Sequence, residues 1–286
     1  MLGTSVVNLN VGVTSRKGKN LPDIKKEDFQ LFENDEPQNV EFFAPTTAPF
    51  NLVLLLDLSG SISDKMDVIK LAALHFIDLI GPEDKVAILT FTRQVEVVSQ
   101  FTTDRNLLRQ RIDSIERAVG GTAFYEAMWF ALVKTLDGLR GQRNAIVVMT
   151  DGVDNSMEWF RFYPSRVSFE QLARRLEESD VIAFPIYIDT EEEEVWERLT
   201  GTPMVYETAR SQLEQMAELT GGQMYKAKRS KDLSKVYGEI AAALRTIYSV
   251  GYYPTNQERD GTFRRVRVKL NRPDAVIRTR KGYYAK

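Results

Sequence analysis

The sequence has no cysteine and only one histidine, His75, among its 286 residues. Disulfides, thiolate metal sites and thiol nucleophiles are therefore excluded for this chain. No apolar run approaches the ~20 residues that a membrane-spanning helix requires, and no Gly-x-x-x-x-Gly-Lys phosphate-binding loop occurs. The 38 basic residues are balanced by 40 acidic ones. This balance provides no basic footprint of the kind that nucleic-acid-binding proteins carry.

Two β-rich segments enclose a long region in which predicted strands alternate with predicted helices. Residues 1–48 show strand-like alternation without a helical period, and residues 249–286 return to that pattern. Residues 49–248 read as strand, helix, strand, helix, which is typical of a doubly wound, mostly parallel α/β sheet. The last helix is predicted over 230–248, and AVIRTRKGYY (275–284) is predicted as one strand. Because two-stranded pieces are only marginally stable, we expect both ends to pair into one small β-sandwich-like domain that carries the α/β domain as an insertion.

Side chains with oxygen atoms follow or precede several predicted elements of the α/β region. The apolar run Leu52–Leu56 ends at Asp57, which two alternating serines follow. A second apolar strand, NAIVVMT, ends just before Asp151, and a Gly-Gly pair precedes a threonine at the start of a helix. Ligands of open α/β sheets bind beside the carboxyl ends of the strands, and hard divalent cations prefer oxygen ligands. The pattern predicts a metal site formed by Asp57, Ser59, Ser61, Thr122 and Asp151.

Each of these segments also has a purely structural interpretation. Ser61 or Ser63 could cap the helix that follows, and Thr122 could cap another. Asp57 could be an ordinary strand-end residue that hydrogen-bonds to a loop. The occurrence of all three segments in one chain favours the metal site. Two further residues are close enough in sequence to contact the ion or a partner: Asp154 and Ser156.

The stretches Asp-Leu-Ser-Gly-Ser (57–61), Gly-Gly-Thr-Ala (120–123) and Thr-Asp-Gly (150–152) resemble the motifs of the von Willebrand factor type A domain family. The resemblance implies a Rossmann-like sheet with a metal ion-dependent adhesion site at its top. It also implies that the aspartate and serines of 57–61 are loop ligands, while Thr122 and Asp151 bind directly or through water. The β segments on both sides resemble a bacterial subgroup of the family.

The chemistry of the ligand set supports a binding function. Hydroxyl ligands leave the charge of a cation poorly neutralised, and the set contains only two carboxylates, so an open coordination position would favour an Asp or Glu carboxylate from a partner. We therefore expect a non-enzymatic, divalent-metal-dependent protein-binding module for adhesion or scaffolding. Mg²⁺ is the expected ion, with Mn²⁺ or Ca²⁺ as alternatives. The alternative functions are an intracellular assembly subunit that partners an ATPase, and a Mg²⁺-dependent hydrolase.

Catalysis is disfavoured by the same residues. Asp-Leu-Ser-Gly-Ser lacks the first glycine of the nucleophile elbow Gly-x-Ser-x-Gly. His75 lies about two helical turns beyond the predicted strand end, which is a poor position for a general base. We expect no nucleic-acid partner and no membrane span.

Two features bear on location and surface. The first residues, MLGTSVVNLNVGV, lack the basic and apolar regions of a signal peptide. From the adhesive function we expect an exported protein, periplasmic, extracellular or on the cell surface, whose leader is absent from this sequence. The last β segment is rich in basic residues, which are predicted to cover solvated strand faces, with a surface for acidic glycans or phosphate as the alternative. These residues are Arg264, Arg265, Arg267, Lys269, Arg278, Arg280 and Lys281.

Overall fold

The structure is a computed structural model that describes residues 6–17, 19, 21, 23–60, 65–118, 120–139, 141–154, 166–188, 204–227 and 232–285. Strands β1 to β4 span Val7–Ser15, Phe29–Glu33, Glu36–Gln38 and Phe42–Ala44, and β5 to β10 span Asn51–Asp57, Lys85–Phe91, Val95–Thr102, Asn144–Thr150, Val181–Ile188 and Tyr225–Ala227. Helices α1 to α6 span Met66–Leu79, Arg105–Asp113, Phe124–Phe130, Phe169–Glu177, Met204–Thr220 and Leu233–Leu244. Strands β11 to β14 span Ile247–Tyr252, Phe263–Leu270, Ala275–Arg278 and Gly282–Tyr284.

The two ends of the chain contribute strands to two antiparallel sheets of four strands each. Their strand orders are β13–β1–β11–β4 and β14–β12–β2–β3. Alternate residues of β1 are buried, as expected for a strand with one face toward a core. The inner faces of both sheets share one apolar cluster, to which Leu9, Leu31, Tyr252 and Val266 belong. The two sheets therefore pack as the layers of a sandwich, and each layer contains strands from both ends of the chain.

The middle of the chain forms a six-stranded sheet in the order β10–β9–β8–β5–β6–β7. All neighbours are parallel except β6 and β7. Every residue of β5 is buried, because helices cover both faces of the sheet. Leu54 packs in the cluster that includes residues of α1 and α6, whereas Leu55 packs in the cluster with residues of α3, α4 and α5. The predicted fold class, a doubly wound α/β sheet together with antiparallel β layers, is confirmed.

The chain leaves β5 toward β6 on one side and later returns to β8 on the other side. The order of the strands thus reverses between β5 and β8, which are hydrogen-bonded neighbours. A reversal of this kind leaves a crevice at the carboxyl ends of the two strands, where ligands of open α/β sheets bind.

The C-terminal segment differs from the sequence-based prediction at two points. Helix α6 ends at Leu244 and β11 begins at Ile247, because pairing with β1 already starts opposite Gly12. The segment predicted as one strand over 275–284 forms two strands on different sheets, β13 beside β1 and β14 beside β12. The crossing between them is fixed at Arg280, whose guanidinium donates to the carbonyls of Asn8 and Ser179. Long-range bonds of this kind leave no local signal in the sequence.

Arg143 connects the β layers to the α/β sheet at the end opposite the crevice. Its guanidinium donates to the carbonyls of Pro45, Ala48 and Ile247 at 2.6–2.7 Å. It also lies over the ring of Phe50, with 4.1 Å between Cζ and the ring centroid. Both chain segments that pass between the two parts of the molecule are therefore held by one buried side chain.

Among the described residues, no helix has the length and hydropathy needed to cross a membrane.

Two buried tyrosines allow a matched test of the packing. The hydroxyl of Tyr237 in α6 has no hydrogen-bond partner among the described residues, whereas that of Tyr252 donates to Glu33 at 2.7 Å. Tyr237→Phe should raise the free energy of unfolding by about 1 kcal/mol, because an unsatisfied buried donor is removed, and Tyr252→Phe should lower it by about 1–3 kcal/mol. Urea unfolding measures both. A loss of stability in Tyr237→Phe equal to that in Tyr252→Phe would contradict the packing described.

Candidate functional site

The candidate site lies in the crevice at the carboxyl ends of β5 and β8. Asp57 is the last residue of β5 and Thr150 is the last residue of β8. Both side chains are fully buried. The apolar stretches of the two strands place these polar residues, since after its first residue each strand contains only apolar side chains until it reaches the rim.

Asp57 is held by two hydrogen bonds. Its Oδ1 accepts from the backbone N–H of Ser59 at 2.8 Å, and its Oδ2 accepts from the Thr150 hydroxyl at 2.7 Å. The first bond turns the chain immediately after β5 and places Ser59, which is buried, at the rim. The second bond joins the end of β5 to the end of β8. Among the described residues, no basic side chain forms an ion pair with Asp57.

The loop that carries Thr122 is hydrogen-bonded to the loop after β5 and to the loop after β6. The N–H of Gly60 donates to the carbonyl of Gly120 at 3.3 Å, and the N–H of Ala123 donates to the carbonyl of Thr92 at 2.7 Å. Thr122 itself is buried and immediately precedes Ala123, the N-cap residue of α3. The structure therefore brings the Thr122 segment to the same rim as Asp57 and Ser59.

The loop after β8 turns sharply at Gly152, which has a φ of +77°. A Cβ at this position would lie 2.9 Å from Cδ1 of Leu213 in α5, so glycine is required both for the backbone conformation and for the close approach. The turn is closed by the N–H of Val153, which donates to Asp151 Oδ1 at 3.1 Å. Asp151 is buried at the rim.

Asp154 joins this loop to helix α3. Its carboxylate is fully buried, and Oδ2 accepts from the N–H of Tyr125 in the first turn of the helix at 2.9 Å. Asp154 follows Asp151 by three residues, and Tyr125 follows Thr122 by three residues. The two loops are therefore cross-linked directly behind the candidate ligands.

The carboxylates of Asp57 and Asp151 interact electrostatically at the rim. Burial, and after it the negative charge of Asp151, raise the pKa of Asp57 to about 7. The hydrogen bonds from Thr150 and Ser59 act in the opposite direction and offset part of this increase. A cation bound between two such acidic groups would stabilise both, because metal binding favours the ionised form of its ligands.

The described members of the predicted set therefore gather at one rim. Ser61, like Ser63 and Ser156, lies outside the described residues. His75 is exposed on α1. Sequence reasoning did not foresee that Thr150 binds Asp57 or that Asp154 binds the start of α3. Thr150 had two signals in the sequence, its place at the end of an apolar strand and in the Thr-Asp-Gly stretch, but neither indicated that it bonds to Asp57.

The side chains at the rim supply oxygen ligands only: the carboxylates of Asp57 and Asp151 and the hydroxyls of Ser59 and Thr122. Such a donor set fits a hard cation such as Mg²⁺. In the part of the chain that the structure describes, no group of three or more His, Cys, Asp or Glu side chains is arranged to hold an ion. Metal binding at this rim would therefore depend on the hydroxyl ligands as much as on the carboxylates.

Comparison with known proteins agrees with this geometry. Residues 52–153 match the von Willebrand factor type A domain family. The resemblance to von Willebrand factor type A domains is thereby confirmed for this part of the chain. Domains of this family are protein-interaction modules. The uncharacterized protein sll0103 of Synechocystis sp. is 30% identical over 107 residues, which are 36% of this chain and 25% of that protein. The match thus spans a quarter of the length of the curated relative.

Solved structures share the fold at low sequence identity. A von Willebrand factor type A protein from Catenulispora acidiphila is 18% identical to this chain, with a TM-score of 0.55. The superposition covers 91% of this chain and 63% of the Catenulispora chain. The corresponding domain of the type V pili tip protein Mfa5 from Porphyromonas gingivalis is 13% identical, with 68% and 94% covered and a TM-score of 0.51. The proximal thread matrix protein 1 of the mussel byssus, with a zinc-occupied MIDAS motif, is 15% identical, with 74% and 49% covered and a TM-score of 0.52.

The link between the two site loops can be tested at Asp154. Asp154→Ala removes the acceptor for the N–H of Tyr125, so the free energy of unfolding should fall by about 1–3 kcal/mol. Asp154→Asn keeps a carbonyl oxygen at the same place and should lose less. Denaturant unfolding of the three proteins measures the difference. Equal losses in the two variants would show that the acceptor oxygen of Asp154 does not stabilise the loop.

Proposed function

We propose that this domain is a divalent-metal-dependent, non-enzymatic protein-binding module whose bound ion receives an acidic side chain of a partner. The observation that supports it is the cross-linking of three oxygen-bearing loops at the switch point of the sheet. The loops after β5, before α3 and after β8 are joined by the Gly60–Gly120, Thr150–Asp57 and Tyr125–Asp154 hydrogen bonds. Such bonds preorganise ligands that are far apart in sequence.

The proposed ligands are Asp57, Ser59, Ser61, Thr122 and Asp151, with Mg²⁺ as the expected ion and Mn²⁺ or Ca²⁺ as alternatives. A bound cation would present a coordination position to a carboxylate oxygen, because hydroxyl ligands neutralise little of its charge. The residues of this chain orient that position. Asp57 is fixed by two hydrogen bonds, and Asp151 lies close enough to raise the pKa of Asp57.

A groove of about 480 Å³ opens beside the rim, between the β6–β7 hairpin and the residues that follow α2. Leu58 and Thr92 line its end nearest the site, and Val97, which is 43% exposed, contributes apolar surface. Arg111 and Arg117 also line it. We propose that the partner residues flanking the acidic side chain lie in this groove.

The proposal of a binding function rather than catalysis rests on the neighbours of the rim. The single histidine, His75, is exposed on α1, and the hydrogen-bond partners of Asp57 hold it rigidly rather than aim it at a nucleophile. Turnover assays with generic phosphoester and peptide substrates, in the presence of Mg²⁺, test this inference. Turnover that Asp57→Asn abolishes would establish a hydrolase instead.

We also propose that the protein acts outside the cytoplasm. The proposal is supported by the fold it shares with the domain of a pili tip protein. Fractionation of cells of the native source, with detection by antibody, tests the location. Detection in the cytoplasmic fraction alone would favour the intracellular assembly subunit.

Metal binding is tested by removing one carboxylate. Asp57→Asn keeps the size of the side chain and an acceptor for the N–H of Ser59, so the fold should survive. The substitution removes an ionised ligand, so the affinity for Mg²⁺ should fall by more than about tenfold. A loss of about tenfold is already typical when a residue that only orients a metal ligand is replaced. Isothermal titration calorimetry measures the affinity. Asp274→Asn, which removes an exposed carboxylate of the β layers, is the matched control, and identical titrations of both variants would eliminate the site.

The partner is tested by capture from the native source. The wild-type chain, immobilised with Mg²⁺, should retain a protein that a chelator releases, because the bound ion forms part of the contact. Asp57→Asn should retain little of it, and replacement of one Asp or Glu in that protein by its amide should have the same effect. Retention that survives both the chelator and the substitution would place the contact elsewhere on the molecule.

We further propose that residues 1–48 and 249–286 form one domain, separate from the α/β domain of residues 49–248. Its support is the pairing of β1 with β11 and β13 and of β2 with β12. Deletion of residues 1–48 removes the partners of the C-terminal strands, so these strands should become protease-sensitive while the α/β domain stays protected. Mass spectrometry of limited digests measures this, and a protected C-terminal segment would contradict the proposal.

A further inference from the structure

The outer face of β12 carries a row of basic side chains. Buried and exposed residues alternate along this strand without interruption, so every second side chain points away from the sandwich core. Residues two apart on a strand are separated by about 6.6–6.8 Å. The exposed cations are Arg265, Arg267 and Lys269, which we call the cation row, and Phe263 precedes them on the same face.

The ring of Phe32 in the neighbouring strand β2 lies beside two of the three cations of the row. Cζ of Arg267 lies 5.0 Å and Nζ of Lys269 lies 5.2 Å from the centroid of the Phe32 ring in β2. At the start of the strand Phe263, which is 44% exposed, meets Tyr284 of β14 edge to face, with 5.3 Å between ring centroids. Contact with a ring already restricts the rotamers of these long side chains. They therefore lose less conformational entropy when a ligand binds.

One gap of the row already contains a carboxylate. Asp35 contacts both Arg265 and Arg267, with 2.9 Å between Oδ1 and Nη2 of Arg267. It is held there by the tight β2–β3 turn, in which Asn34 and Asp35 have φ values of 48° and 70°, as in a type I′ hairpin. The gap between Arg267 and Lys269 differs from the first. Among the described residues, no acidic side chain forms an ion pair with Lys269 there.

We propose that the cation row binds an extended acidic segment of a partner protein in which carboxylates occur at every second residue. The side chains on one face of an extended segment repeat at the same spacing as those of β12, so successive carboxylates meet successive cations. Asp35 shows that a carboxylate fits between two neighbours of the row. This contact is independent of the metal site, because it lies on the outer face of the β14–β12–β2–β3 sheet.

An acidic peptide fits this face better than a nucleic acid does. The Phe32 ring is already covered by two cations, and Phe263 and Tyr284 meet at 69°. Single-stranded nucleic acids need rings on which bases stack within a basic groove.

Fluorescence anisotropy tests the proposal with the full chain, in EDTA and at low salt, so that failure of the metal site does not affect the result. The probes are a labelled peptide of alternating Glu and Thr, a peptide of the same composition with its Glu residues in one block, and a labelled oligo(dT). We expect the alternating peptide to bind most tightly, with an affinity that falls as salt is added. Equal binding of the two peptides, or tighter binding of oligo(dT), would overturn the proposal.

Substitutions give the second arm of the test. Arg267→Gln should weaken binding by up to about fivefold, the effect of one exposed ion pair, and the triple change of Arg265, Arg267 and Lys269 to Gln should abolish it. Asp35→Asn should strengthen binding, because a competing carboxylate is removed while the turn conformation is kept. Lys235→Gln, an exposed lysine of α6, is the matched control and should change nothing. Weaker binding by Asp35→Asn, or an equal effect of Lys235→Gln and Arg267→Gln, would refute the role of the row.

Discussion

The buried carboxylate of Asp57 is the constraint on which the site depends. It lies at the end of the central strand, where its two oxygens accept from the chain that follows it and from the neighbouring strand. A charge in this position is costly unless it is compensated, and the nearest strong influence is the second carboxylate of Asp151. A cation at the rim would resolve both problems, and the cross-linked loops, the glycine turn and the buried hydroxyls would then belong to one proposed ligand shell.

The contacts that join the two parts of the molecule lie apart from the surfaces proposed to bind partners. The ends of the parallel strands opposite the rim are joined to the β layers by Arg143, through three backbone carbonyls, and by Arg280, through two. The two proposed recognition surfaces lie elsewhere, one at the crevice between β5 and β8 and one on the outer face of β12. A partner that engages both surfaces would make its second contact within one complex, which raises the effective concentration for that contact.

Local patterns predicted what depends on local sequence. The apolar run before Asp57, the spacing of the serines and the alternation along β12 were readable directly, because strand burial and strand period are properties of neighbouring residues. Contacts between distant residues were not readable. The bond from Thr150 to Asp57, the bond from Tyr125 to Asp154 and the division of residues 275–284 between two sheets depend on how the chain closes on itself. Helix α6 was predicted too long because its apolar period continues into an inward-facing strand.

The most direct measurement is an anomalous-scattering experiment on crystals of the protein soaked in Mn²⁺. We expect a single strong peak between Asp57 and Asp151, within about 2.1–2.3 Å of a carboxylate oxygen and in contact with the hydroxyl of Ser59 or Thr122. An open position facing solvent or a neighbouring carboxylate should complete the coordination. Absence of a peak at saturating Mn²⁺, with Asp57 and Asp151 joined instead by a shared proton, would contradict the metal-dependent site.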